Sequence, residues 1–122
     1  MNKPDYANSS VYRALLDLCE KAGLDVQYAP LPLSIYACSK DRAIQMPEDN
    51  HRFFSDEHAA IVLGHELAHY LVNPNFPEIE KDEQLTLKRK MLLESECDRL
   101  ATYLCSLAAA IAEHEAREEE LE

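Results

Sequence analysis

Two histidines four positions apart, with a glutamate directly after the first, could hold a metal ion and a base beside it. The segment is His65-Glu66-Leu67-Ala68-His69, set in the helix-forming run AAIVLGHELAHYLV. On a helix, positions i and i+4 share a face, so both imidazoles reach one ion from the same side. Glu66, one step of about 100° further round, projects beside that ion rather than onto it. A carboxylate so placed can take a proton from a water molecule. Two histidines alone do not make a site, because a metal needs at least one more protein ligand and a catalytic metal an open position besides.

The stretch LLESECDRLATYLC offers Glu94 and Glu96. A helical wheel at about 100° per residue separates them. Leu87, Met91, Asp98, Ala101, Cys105, Ala108 and Ala112 fall on the side of Glu94, an apolar stripe expected to face the core. Glu96 points the other way, with Arg89, Arg99 and Tyr103. Carboxylates are rarely buried without a partner, since losing hydration costs several kcal/mol. Glu94 is therefore expected as the third ligand, and Asp98 as the acceptor that orients a histidine ring. Simple pairing of both with Lys or Arg is the alternative.

HELAHYLV followed by ESECDRLATYL resembles the ImmA/IrrE-type metallopeptidases, whose pattern is HExxH and then a second helix carrying ExxxD or ExxxN. More broadly, the chain resembles a minimal gluzincin, with a zincin-like α+β fold. The resemblance covers about residues 10–108. It implies one zinc ion per chain on His65, His69 and Glu94, with Glu66 catalytic and Asp98 supporting. It also implies cleavage of, or pairing with, a protein partner such as a helix-turn-helix transcriptional repressor. The chain departs from the family's AD-x-FA continuation, having Cys97-Asp98-Arg99-Leu100-Ala101 there.

The chemistry expected is metal-assisted peptide hydrolysis, in which Glu66 takes a proton from water and passes it to the leaving amine. A zinc-binding regulatory or interaction module with little or no proteolysis is the second reading. Tyr36, His51, His58 and Tyr70 could stabilise the oxyanion, and the sequence singles out none of them. His58 precedes His65 by two helical turns, roughly 10 Å, too far to ligate with it, and is read as a rim residue. His51 and His114 are read as solvent-exposed. Phe53, Phe54 and Tyr103 are read as packing.

Around these residues the spacing predicts an α+β domain. Residues 9–22 form a helix capped by Ser9 or Ser10, with Gly23 just past its end. Residues 24–50 give two or three short strands, with Lys40-Asp41 turning a hairpin between Ser34–Cys38 and Arg42–Met46. The second of these is expected to be an edge that an extended peptide could join. Ser55 caps the metal-binding helix, with Asp56 and Glu57 in its first turn, and Asn73-Pro74 ends it near Val72. After a loop, a long final helix runs from roughly 82 to 116. The acidic end, residues 113–122, is expected to fray because like charges crowd it.

A chain of 122 residues fits one domain spanning 1–122. Twelve Lys and Arg against 23 Asp and Glu give a net charge of −11, which argues against nucleic acid as a partner. Cys19, Cys38, Cys97 and Cys105 have no CxxC spacing and are read as free buried thiols. No run approaches the roughly 18 apolar residues of a membrane span, and the N-terminus has no apolar signal segment. The expected location is the cytoplasm.

Overall fold

The computed structural model describes residues 3–73, 76 and 87–121. Among them are three α-helices and a three-stranded sheet, an α+β arrangement as the sequence predicts. A short 3₁₀ turn, Asp5–Asn8, leads into α1, Ser10–Lys21. Ser9 caps α1 by accepting from the Tyr12 N–H, and Gly23 takes the left-handed conformation beyond its end (φ 77°).

The strands are β1 (Asp25–Ala29), β2 (Cys38–Lys40) and β3 (Ala43–Pro47). Their order is β1-β3-β2, with β3 parallel to β1 and antiparallel to β2. Three expectations are corrected here. Residues 34–37 are loop, and the first hairpin strand starts only at Cys38. The two-residue turn is Asp41-Arg42, both with positive φ (52° and 61°), the geometry that matches the twist of a hairpin. β3 is the central strand, not an edge, because Ile44 and Met46 are fully buried and its backbone pairs on both sides.

α2 spans Asp56–Val72, with Ser55 accepting from the His58 N–H. It packs on both α1 and α3, and buries Ala59, Leu63, Leu67 and Ala68. α3 spans Leu87–Leu121, so the helix continues past the expected stop near 116, and residues 82–86 lie outside the described residues. The acidic end is helical rather than frayed, with Glu113–Arg117 and His114–Glu118 pairs one turn apart offsetting some of its repulsion.

Gly64 lies where α2 and α3 pack against each other. A Cβ there would sit 3.4 Å from both the Ala101 carbonyl oxygen and Cys105 Sγ. The contact falls one residue before His65.

The core extends from this seam to an aromatic group around Tyr6, Tyr12 and Tyr28. All four cysteines are free thiols, although Cys38 is exposed on β2 rather than buried. No helix among the described residues is long and apolar enough to cross a membrane.

Candidate metal centre

The structure brings His65, His69 and Glu94 together as a group that could hold a metal ion, their ligand atoms all within 4.8 Å of one another. His65 Nε2 lies 3.0 Å from His69 Nε2 and 3.0 Å from Glu94 Oε2. Glu94 Oε1 lies 3.1 Å from His69 Nε2. A tetrahedral ion with bonds of about 2.0–2.1 Å spaces its ligand atoms roughly 3.3 Å apart, close to the contacts that the two imidazoles make with each other and with the Glu94 carboxylate.

Asp98 fixes the character of the site. Its Oδ1 lies 2.8 Å from His65 Nδ1. A carboxylate accepts, so Nδ1 carries the proton, and in the neutral ring Nε2 presents a lone pair. That lone pair faces another imidazole nitrogen and a carboxylate oxygen. Either the His69 ring's own proton, carried on Nε2, or a cation satisfies these atoms, and the three side chains are placed so that they could hold the cation. The donors, two imidazole nitrogens and a carboxylate, suit a zinc-like divalent ion.

The residues expected from the sequence thus converge, but not for the reason given for two of them. The Glu94 and Asp98 side chains are 55% and 74% exposed, not set in a buried stripe. The seam of α3 is formed by Cys97, Ala101, Leu104 and Ala108. At about 100° per residue that seam centres roughly 50° to one side of Glu94. Glu94 and Asp98 sit on its rim, and Leu87 and Met91, placed on the same stripe, are exposed. Glu96 is exposed, as expected, and apart from the cluster.

Glu66 is held from the sheet. Ser39 Oγ on β2 donates to Glu66 Oε2 at 2.5 Å. Ser39 pairs across the hairpin with the buried Ile44, so its side chain shares the inward face of the sheet. The turn is tied down in its turn by Arg42, whose guanidinium donates to the Ala22 carbonyl and lies 5.9 Å from the centre of the Tyr70 ring. Burial raises the Tyr70 phenol above its ordinary pKa, partly offset by the neighbouring Ser39 hydroxyl. Ser39 and Arg42 were not expected from sequence. Placing the turn at Asp41-Arg42 would have revealed Ser39, because the register then sets it opposite Ile44.

A cleft of about 480 Å³ opens beside His65 and Glu66, walled by loop residues 34–37 and by His58, Ile61 and Val62 of α2. Arg52 Nη2 lies within hydrogen-bond range of the Leu31, Pro32 and Ile35 carbonyls and so fixes the loop wall. His58 lines the cleft within a ring cluster with Tyr36, Phe53 and Phe54, its Nδ1 accepting from the Phe54 N–H. Phe53 packs as expected, whereas Phe54 and Tyr103 are exposed at 96% and 63%. His51 and His114 are exposed, and neither belongs to the metal-binding group.

No family profile, curated protein or solved structure matches the chain.

Proposed function

We propose that the chain is a zinc-dependent metallo-endopeptidase of zincin-like fold that hydrolyses a peptide bond in a partner protein. The observation that carries this reading is the convergence of His65 Nε2, His69 Nε2 and the two Glu94 carboxylate oxygens, with contacts of 3.0–3.1 Å and Asp98 holding the His65 proton away from them. His65, His69 and Glu94 would hold the ion, and Asp98 would keep the His65 ring in its ligating tautomer. Zinc in such a site supplies Lewis acidity, lowering the pKa of water and polarising a carbonyl.

The remaining work falls to the chain itself. Glu66, anchored through Oε2, has Oε1 to take a proton from the attacking water and return it to the leaving amine. The edge of β2 not paired with β3 runs past the Ser39–Glu66 contact and can add an extended peptide by strand pairing. A transcriptional repressor as substrate is what the resemblance to ImmA/IrrE-type peptidases implies.

A zinc-binding module without proteolysis is the second reading, favoured by the exposure of Glu94 and Asp98, which leaves the ion reachable by a partner's own side chain. Metal analysis of purified protein should give about one zinc per chain, lost in His65→Ala. Glu66→Gln should keep the zinc and lower cleavage of a co-expressed repressor by about 10²–10⁴-fold. Metal-free wild-type protein that is fully folded in zinc-containing buffer would sink both readings. Equal cleavage by wild type and Glu66→Gln would leave only the module.

A further inference from the structure

A second cleft, also about 480 Å³, lies on the other side of Ile61 from the one at Glu66. Its walls come from the first turn of α2 (Asp56, Glu57), from the start of α1, and from Thr102, Cys105 and Ser106 of α3. The surface inside it is mostly apolar. Ile61 lines both clefts and is half exposed, a β-branched side chain forming a ridge between two hollows. On a wheel of about 100° per residue, Glu57 and Ala60 fall to one side of Ile61, and His58, His65 and Glu66 to the other.

Among the described residues the charged groups that line the clefts are acidic: Asp56 and Glu57 border the outer one, Glu66 and Asp98 the inner one, and Arg52 lies behind the loop wall, bonded to its carbonyls. Phe54, almost fully exposed and stacked on His58, stands at the α2 N-terminus and adds an aromatic edge to the same face. Solvent-exposed aromatic and branched side chains ringed by charge mark surfaces that other proteins cover.

We infer that this face of α2 is a docking surface for the substrate protein, one that takes two large apolar side chains either side of Ile61 with Lys or Arg beside them. The inference rests on the peptidase reading, because continuity with the cleft at His65 and Glu66 is what makes the occupant a substrate. The acidic rim selects against acidic segments, and the net charge of −11 draws basic ones in. Two hollows separated by a ridge call for two anchors, so the surface fits a segment of a larger protein rather than a dipeptide.

The test uses zinc-loaded Glu66→Gln protein and three labelled twelve-residue peptides. One carries two Leu four positions apart among Lys, one has Glu in place of each Lys, and one has Ala in place of each Leu. Fluorescence anisotropy should show the Leu/Lys peptide binding at least tenfold tighter than either of the others at 0.15 M salt. Amide NMR shifts should centre on Ile61, Thr102 and Ser106. Ile61→Asp, and separately Ala109→Trp to fill the outer hollow, should each weaken the Leu/Lys peptide at least tenfold with helix content and zinc content unchanged.

Equal binding of the Leu/Lys and Ala/Lys peptides would overturn the inference, as would binding indifferent to both substitutions. Repeating the titration without metal separates the two proposals: loss of zinc binding with retained docking sinks only the peptidase reading. Retained zinc with no selective docking sinks only this surface.

Discussion

The buried tyrosine group and the α2–α3 rim both gather polar atoms closely, yet they resolve the problem in opposite ways. In the first, donors meet acceptors: the Tyr28 hydroxyl bonds that of Tyr12 at 3.3 Å, and Tyr6 donates to the Pro47 carbonyl. The rings pack edge to face around them, Tyr6 with Tyr12 at 5.3 Å and with Phe53 at 5.0 Å. At the rim, two imidazole nitrogens and a carboxylate face one another, and the set is open to water on the Glu94 side. The closed group needs nothing from outside to be satisfied. The open one is placed so that it could hold a cation, which is the difference between a structural polar cluster and a candidate binding site.

Substitutions in the two regions should separate stability from metal affinity. Leu15→Ala, in the fully buried core beside Tyr12, should cost about 2–5 kcal/mol in urea unfolding of the metal-free protein. The zinc affinity of the folded variant should not change. A tenfold loss of affinity there would break the separation.

Alkaline unfolding should report the closed region more than the rim. Burial pushes the Cys19 thiol up to about 12 and raises the Tyr6, Tyr12 and Tyr28 phenols above their ordinary value. The unfolded chain ionises these groups first. Their contribution is therefore complete below the ordinary thiol pKa of 9.0 and is lost as pH rises toward the folded values. Each such group steepens the loss by up to about 1.4 kcal/mol per pH unit. The part of the tyrosinate absorbance that Tyr6, Tyr12 and Tyr28 contribute, isolated by Tyr→Phe variants, should accordingly rise with the unfolding transition and not before it.

Asp98→Asn should weaken zinc binding about 10–100-fold in a competition titration with a chelator, leaving the metal-free melting temperature nearly unchanged. Tyr12→Phe reverses that pattern, costing about 1 kcal/mol of stability with no effect on zinc. The smallest effect carries the most informative sign. Glu94→Gln replaces an acceptor with a group that can also donate, so the metal-free protein should become slightly more stable while the zinc-loaded protein becomes less so. A loss in both states would mean that Glu94 does not face lone pairs.

The helices and their caps were legible because each rests on local chemistry: Ser9 and Ser55 accept from the N–H three residues on, and Gly23 takes a positive φ. The convergence of His65, His69 and Glu94 followed from side-chain spacing combined with one resemblance. The sheet was harder. Asp41 and Arg42 carry positive φ without being Gly or Asn, so the turn had no compositional flag and the strands slipped with it. That slip hid Ser39 and made β3 look like an edge. The exposure of Glu94 was illegible because α3 carries apolar residues well outside its seam, Leu87 and Met91 among them. A wheel ranks faces of one helix without showing where its neighbours end.

His65 and Glu94 are 29 positions apart, on two helices packed against each other. An ion that joins them is a covalent-like staple across that stretch, in a chain whose cysteines form no bridge. Closing a loop of that size removes about 3–4 kcal/mol of unfolded-chain entropy by the estimate used for disulfides. Unlike a disulfide, this staple is indifferent to reductant and yields to chelators and acid. If zinc is that ion, resistance of the protein to degradation would track free zinc rather than redox state, which would couple the lifetime of the molecule to its supply of metal.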